Sequence, residues 1–208
     1  FFDDALTASK ALEITLTGRD CGQEEKAPMC GVPHHSADSY INKLINKGFK
    51  VAICEQVEDP AKAKGIVKRD VIRIITPGTV TDTKMLDEKN NNYLMSIYKN
   101  NYMYGIAVAD ISTGDLSETE ITWGNTKSKL IDEIGKYSPS EIITNDEMYK
   151  ETDLIKSLRE KLGIYISMSD PLAFDLEKSL INLKNQFEDI DNIEDNSFAA
   201  CAAGALLK

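Results

Sequence analysis

The chain has 208 residues, 42% of them hydrophobic and 7% aromatic, with a formal net charge of -10. That length holds one large domain or two ordinary ones, and that composition buries a core and excludes a disordered chain. The longest apolar run, Phe198 to Leu207, is too short to span a bilayer, and no signal peptide opens the chain. Charge is spread unevenly. Residues 1–90 carry 13 Lys and Arg against 14 Asp and Glu, net -1, and residues 91–208 carry 11 against 20, net -9. The second half therefore repels polyanions on average.

Asp3 to Glu13 predicts a helix, with Ala5, Leu6, Ala8, Ser9 and Leu12 at helical spacing. Ile14 to Leu16 reads as a short strand, and Thr17 to Ala27 as a polar loop. Ser36 is placed as an N-cap. Ala37, Tyr40, Ile41, Leu44 and Ile45 then fall on one helical face, and Gly48 sits where a left-handed C-terminal residue is expected. Val51 to Cys54 and Asp70 to Thr76 read as strands, the second closed by Pro77-Gly78. The result is a small mixed α/β domain.

The polar, turn-rich stretch from Thr81 to Asn92 is the expected boundary, giving domains 1–90 and 91–208. Beyond it, Tyr93 to Tyr98, Tyr102 to Ile111 and Leu116 to Thr122 read as three strands joined by hairpin turns. Helix 127–137, strand 141–144, helix 153–162, strand 164–167 and helix 171–187 follow. A three-strand meander followed by alternating helices and strands is the element order of ribonuclease H-like folds, a fold-level analogy. Residues 188–196 form an acidic linker. The final segment, FAACAAGALLK, is apolar on every side and must be buried. Both ends read as cut from a longer protein, and a terminal helix packed inside its own domain is the alternative.

Cys21, Cys30, Cys54 and Cys201 lack CxxC spacing, and the chain is too long to need disulfides, so reduced thiols in the cytoplasm are expected. Lys43, Lys47, Lys50, Lys62, Lys64, Lys68, Arg69 and Arg73 form a basic stripe against four acids, Glu55, Glu58, Asp59 and Asp70. Lys43 and Lys47 share the polar face of their helix. Phosphate binding needs such residues on one surface, although an ordinary solvated face has the same composition. Arg73 alternates with Ile72 and Ile74 and is expected to point away from the core. In GVPHH, two histidines precede a helix N-terminus, a place that favours anions. Their spacing from Cys21 and Cys30 matches no usual zinc pattern, which favours backbone-bonded imidazoles. Cys54 reads as a buried strand cysteine rather than a nucleophile.

Asp110, Asp115, Glu141, Asp146 and Asp170 invite a nuclease reading of the second domain. Two-metal cleavage needs acids converging from adjacent central strands, and the first strand, YLMSIY, has none. No GxxxxGK[ST] loop is present, so this chain is not expected to hydrolyse ATP.

The run GVPHHSADSYINKLINKGFKVAICEQVEDPAKAKGIVKRDVIRIITPGT, with FFDDA…ALEITLTGR before it and YGIAVADISTGD and FAACAAGALL after it, resembles the MutS family of mismatch-repair proteins over nearly the whole chain. The resemblance implies a mixed α/β mismatch-recognition domain followed by a ribonuclease H-like connector without nuclease activity. It implies mismatched double-stranded DNA and a MutL-type repair protein as partners. A Phe-x-Glu pair that inserts at the mispair in the family falls just ahead of the match to Phe1-Phe2, so neither Phe1 nor Phe2 takes that role. The lever, clamp and ATPase domains, with ATP and Mg, fall outside this chain, which is expected to be non-enzymatic, free of cofactor and metal, and monomeric, whereas the full-length family protein is a dimer. By position, Arg19, His35, Lys68, Arg69 and Arg73 are the DNA-backbone candidates. The alternative is a ribonuclease H-like nuclease or resolvase fragment.

Overall fold

The computed structural model describes residues 1–22, 25–62, 65–80, 91–187 and 196–208. Two compact units emerge, Phe1–Pro77 and Gly78–Lys208. The boundary placed at 81–92, the acidic linker and Lys64 fall wholly or mostly outside the described residues.

The first unit runs α1 (Phe2–Leu12), β1 (Thr17–Arg19), β2 (Ala27–Met29), α2 (Ala37–Asn46), β3 (Val51–Gln56) and β4 (Arg69–Ile75). Residues 14–16 do not form the expected strand. The chain leaves α1 through Glu13 in the left-handed region, φ 57°, and the strand forms later, at 17–19. There it pairs antiparallel with β2, inside the stretch read as loop. Ladder bonds, not apolar alternation, make this strand, because all three residues are exposed.

α2 ends as the sequence predicts. Gly48 has φ +81°, its N–H donates to the Ile45 carbonyl (2.8 Å), and the Phe49 N–H donates to the Leu44 carbonyl (3.1 Å). These are the two bonds of a Schellman stop. Ser36 occupies the N-cap position, but its side chain makes no capping bond; it closes a 3-10 turn, His34–Ser36. Among the described residues of this unit, the buried apolar side chains are only Ala5, Ala27, Ile45 and Ile75.

The second unit is built on a five-stranded sheet: β5 (Tyr93–Asn100), β6 (Met103–Asp110), β7 (Asp115–Ile121), β8 (Glu141–Thr144) and β9 (Tyr165–Met168), ordered β7-β6-β5-β8-β9. β5, β6 and β7 pair antiparallel, and β8 and β9 add in parallel. This is the ribonuclease H-like arrangement. The helices are α3 (Thr126–Tyr137), α4 (Asp146–Tyr149), α5 (Thr152–Leu162), α6 (Leu176–Gln186) and α7 (Ser197–Leu206). The single turn α4 was not anticipated. It starts on Asn145, whose side chain accepts from the Met148 N–H. The helix expected over 171–187 is interrupted: Pro171–Phe174 is 3-10, and α6 begins only after Asp175, whose carboxylate accepts from the Lys178 N–H. An Asp in extended conformation caps a new helix more readily than it continues an old one.

Strand alternation sorts the core. Met95, Ile97, Tyr104, Ile106, Val108 and Ile142 point to one face and pack on Leu130 and Ile134 of α3 and on Leu154, Ile155 and Leu158 of α5. The opposite face carries Tyr98, Ala107 and Ile143 beneath α6 and α7. α7 is thus buried within its own unit. Its small Ala and Gly residues let it approach β6 closely. A Cβ on Gly105 would overlap the Phe198 carbonyl, and one on Gly204 would overlap the Ser179 hydroxyl. Glu120 of β7 holds the N-terminus of α7: its Oε1 accepts from the N–H groups of Phe198 (2.6 Å) and Ala199 (3.0 Å). A carboxylate there meets both the unpaired amides and the positive end of the helix.

All four cysteines are free; Cys54 lies on the exposed face of β3, not buried as expected, and burial, with lesser contributions from Asp175 and Glu120, pushes the Cys201 thiol up to about 11. Two outcomes follow. Gly105→Ala forces α7 off the sheet and should cost at least the upper part of the ~1–3 kcal/mol range of overpacking, measured as a fall in the urea midpoint. A thiol reagent at pH 8 should label exposed Cys21 and Cys54 quickly and Cys201 only on unfolding, because the neutral thiol is unreactive.

Candidate nucleic-acid interface

The candidate DNA-backbone residues sit on three different elements. Arg19 ends β1, His35 lies in the 3-10 turn before α2, and Lys68, Arg69 and Arg73 belong to the β3–β4 hairpin; all five are exposed. Lys43 and Lys47 share α2 as expected, but they do different work. The Lys43 ammonium lies 5.2 Å from the Tyr40 ring centroid, whereas Lys47 donates to the Ala11 carbonyl near the end of α1. Lys47 therefore ties α2 to α1. Lys62 faces Asp59 at 3.8 Å, with both side chains largely in solvent, which stabilises little. Neither His34 nor His35 finds a side-chain hydrogen-bond partner among the described residues, so the expected backbone-bonded imidazoles are not seen.

The hairpin departs from simple alternation. β3 pairs with β4 through Val51↔Ile75, Ala52↔Ile74 and Ile53↔Arg73, then shifts to Cys54↔Val71, Glu55↔Asp70 and Gln56↔Arg69. Ile72 is the extra residue of a bulge. Directly paired residues share a face, and consecutive residues of β3 alternate, so Arg73 and Ile53 lie on one face and Arg69, Val71 and Cys54 on the other. One consequence adds to the sequence reading and the other corrects it. Arg69 and Arg73, four residues apart, do not share a face. Arg73 lies with half-buried Val51 and Ile53 and buried Ile75, not away from them. The outward face is instead apolar: Ala52 and Ile74 pair there, beside Val71. Ile74 is 57% exposed, and bulged Ile72 55%. The strand is not half-buried in the way its alternation implied. Bulges have no reliable signature in a single sequence, which is why this one was missed.

In the second unit, the acidic residues do not converge. Asp110 accepts from the Ser112 N–H (2.9 Å) and hydroxyl (2.6 Å). Asp115 accepts from Thr113 at 2.7 Å, Asp146 pairs with Lys150, and Asp170 accepts from the Leu172 N–H and pairs with Lys208 at 3.0 Å. Glu141, 2% exposed, accepts from the Gly78 N–H at 3.0 Å. Asp110 pairs with Tyr93 and Glu141 with Leu94, so these two buried acids flank β5 from opposite faces of the sheet. Two ions ~4 Å apart need carboxylates on one face. Each acid closes a turn, caps a helix or meets a lysine. Among the described residues, no group of three or more His, Cys, Asp or Glu is placed to hold a metal ion, and no helix is long and apolar enough to cross a membrane.

Comparison with known proteins bears on both units. Residues 1–84 match the family model for MutS domain I and residues 92–208 that for MutS domain II. The DNA mismatch repair protein MutS of Ruminiclostridium cellulolyticum is 58% identical over 209 residues, which take in 100% of this chain and 24% of the relative. That of Acetivibrio thermocellus is 60% identical over 210 residues, with the same shares, and that of Clostridium tetani 46% over 208 residues, 100% of this chain and 23% of the relative. The chain spans about a quarter of the length of the curated relatives it matches. The nuclease alternative is not favoured by these matches or by the scattered carboxylates. With both of its units matched and more than half of its residues identical to those of two such relatives, the chain belongs to the MutS family of DNA mismatch repair proteins, in the part that comprises domains I and II.

Proposed function

We propose that the first unit holds double-stranded DNA by its backbone at a mismatch, and that the second is a connector that docks a MutL-type repair protein and relays to the ATPase of the whole protein. The observation that carries this reading is the match to domains I and II together with the charge division. The window from Lys43 to Arg73 is net +4, whereas residues 91–208 are net -9. A net negative unit pays a repulsive cost on approaching phosphate, and a locally basic one gains from counterion release.

In this reading Arg19, His35, Lys68, Arg69 and Arg73 position the duplex and do not read it. Phosphate contacts fix register without carrying sequence information. With Arg69 and Arg73 on opposite faces of the hairpin, the duplex meets the hairpin along an edge rather than across one flat face. Discrimination then belongs to the Phe-x-Glu wedge ahead of the Phe1 position, where inserting an apolar side chain costs unstacking, least at a mispair. These 208 residues act without a cofactor of their own, with ATP and Mg used elsewhere in a cytoplasmic, dimeric protein. By themselves they are monomeric and non-catalytic.

The test is a gel-shift salt titration with matched and G·T duplexes, using protein that includes the Phe-x-Glu segment. Lys68→Ala and Arg69→Ala should each weaken both duplexes about equally and reduce the log–log salt slope by roughly one unit. A selective loss on the mismatch with an unchanged slope would show that these residues read the lesion. For the second unit, incubation with Mg²⁺ or Mn²⁺ and RNA–DNA hybrids or junctions should give no cleavage. Specific cleavage abolished by Asp110→Asn would restore the nuclease reading.

A further inference from the structure

Buried Glu141 opens β8, and its Oε2 accepts from the Gly78 N–H across 63 positions of chain. A buried carboxylate must be met by donors, and a hydrogen bond to a charged group is stronger than a neutral one. Gly78 belongs to a 3-10 turn, Pro77–Thr79, in which it is buried, and Val80 just beyond it is buried too.

The seat under this turn is a single pair of residues. Leu94 and Glu141 are partners in the parallel β5–β8 ladder and stand on one face of the sheet. A Cβ added at Gly78 would lie 2.8 Å from the Glu141 Cβ and 2.9 Å from a Leu94 methyl. Both distances are inside van der Waals contact, so only a glycine backbone fits on this pair. The seat is itself fixed. The Ser140 N–H donates to the Tyr93 carbonyl (3.0 Å), the Ser140 hydroxyl to Asn92 Oδ1 (2.6 Å), and the Tyr165 N–H to the Ser140 carbonyl (3.2 Å). Gly78 and Tyr93 are therefore both held at the start of β8, by Glu141 and Ser140.

The chain reaches this seat by a short path. β4, which carries Arg69 and Arg73, ends at Ile75, and Gly78 is the first residue of the second unit. Only Thr76 and Pro77 lie between them. The ring of Pro77 fixes its own φ, and a residue that precedes proline is narrowed to extended backbone.

We propose that Glu141 is a latch. It holds Gly78 on the β5–β8 pair, so that the joint between the two units is Thr76-Pro77, and a shift of the β3–β4 hairpin on DNA enters the second unit through that joint. The proposal rests on the reading of the first unit as DNA-holding and the second as a relay, and it names the residues at which the relay begins.

Amide hydrogen exchange on the 208-residue chain tests the latch. Ile97→Val, in the core of the second unit, should speed exchange at Gly78 by roughly threefold to tenfold, in step with the amides of β5 and β8. Ile45→Val, in the core of the first unit, should speed exchange in β3 and β4 and leave Gly78 unchanged. Gly78 following Ile45→Val instead would overturn the latch. In the full-length protein, ATP turnover reads the joint. Gly78→Ala lifts the turn from its seat. It should leave affinity for a G·T duplex within about twofold and reduce the change in turnover that the duplex produces by about threefold or more. Glu141→Gln keeps an oxygen acceptor for the Gly78 N–H and should retain that change. A full response from Gly78→Ala would overturn the joint as the route while leaving the relay reading intact. No response from the unsubstituted protein would overturn the relay reading and the joint's part in it, with the latch still decided by exchange at Gly78.

Discussion

The close seating of α7 on β5 and β6 is the constraint on which the second unit depends. A helix of Ala, Cys and Gly has little side-chain volume, so it contributes to the core only by approaching until backbone meets backbone. That approach needs Gly105 below it and Gly204 beside Ser179. It also strands the amides at the start of α7 over the sheet, where Glu120 accepts from two of them. The small helix, the two glycines and the carboxylate form one device: losing the approach would leave Tyr98, Phe174 and Cys201 without their cover.

The two units distribute stability and surface differently. The second packs both faces of a five-stranded sheet and uses its acids as structural groups, at turns, helix starts and ion pairs. This is why, among the described residues, the acids of a fold shared with nucleases do not converge on one site. Buried Asp110 and Glu141 lie on opposite sides of the strand between them, and no local adjustment brings them to one pair of ions. The first unit has a thin core and leaves strand β4 exposed along most of its length. Such a unit gains little from apolar burial within itself, and its surface is correspondingly rich in exposed cations and apolar strand residues.

Local rules carried much of the fold. Gly48 ended α2 by the two expected bonds, and the alternation of Met95, Ile97, Tyr104, Ile106 and Val108 marked the core face of the second sheet. Strong periodicity and a glycine that relieves a left-handed residue are properties of a short window, so they survive without tertiary information. Strand 17–19 was not legible, because its pairing partner lies in β2 and none of its residues is buried. The break between residues 174 and 176 was lost because the helical periodicity of residues 176–186 read back through a capping Asp into Pro171–Phe174.

The candidate interface was legible in identity and not in arrangement. Composition and charge by themselves determined that residues 43–73 are basic within an acidic chain, and the run from Gly31 to Thr79 determined the family, since both are written in residue type and spacing. Only the tertiary structure decided which cations share a surface. A single extra residue at Ile72 reverses the side-chain parity of β4, separating Arg69 from Arg73 and turning Ile74 outward. Register is a property of two strands together, not of either one, so no single strand could show it.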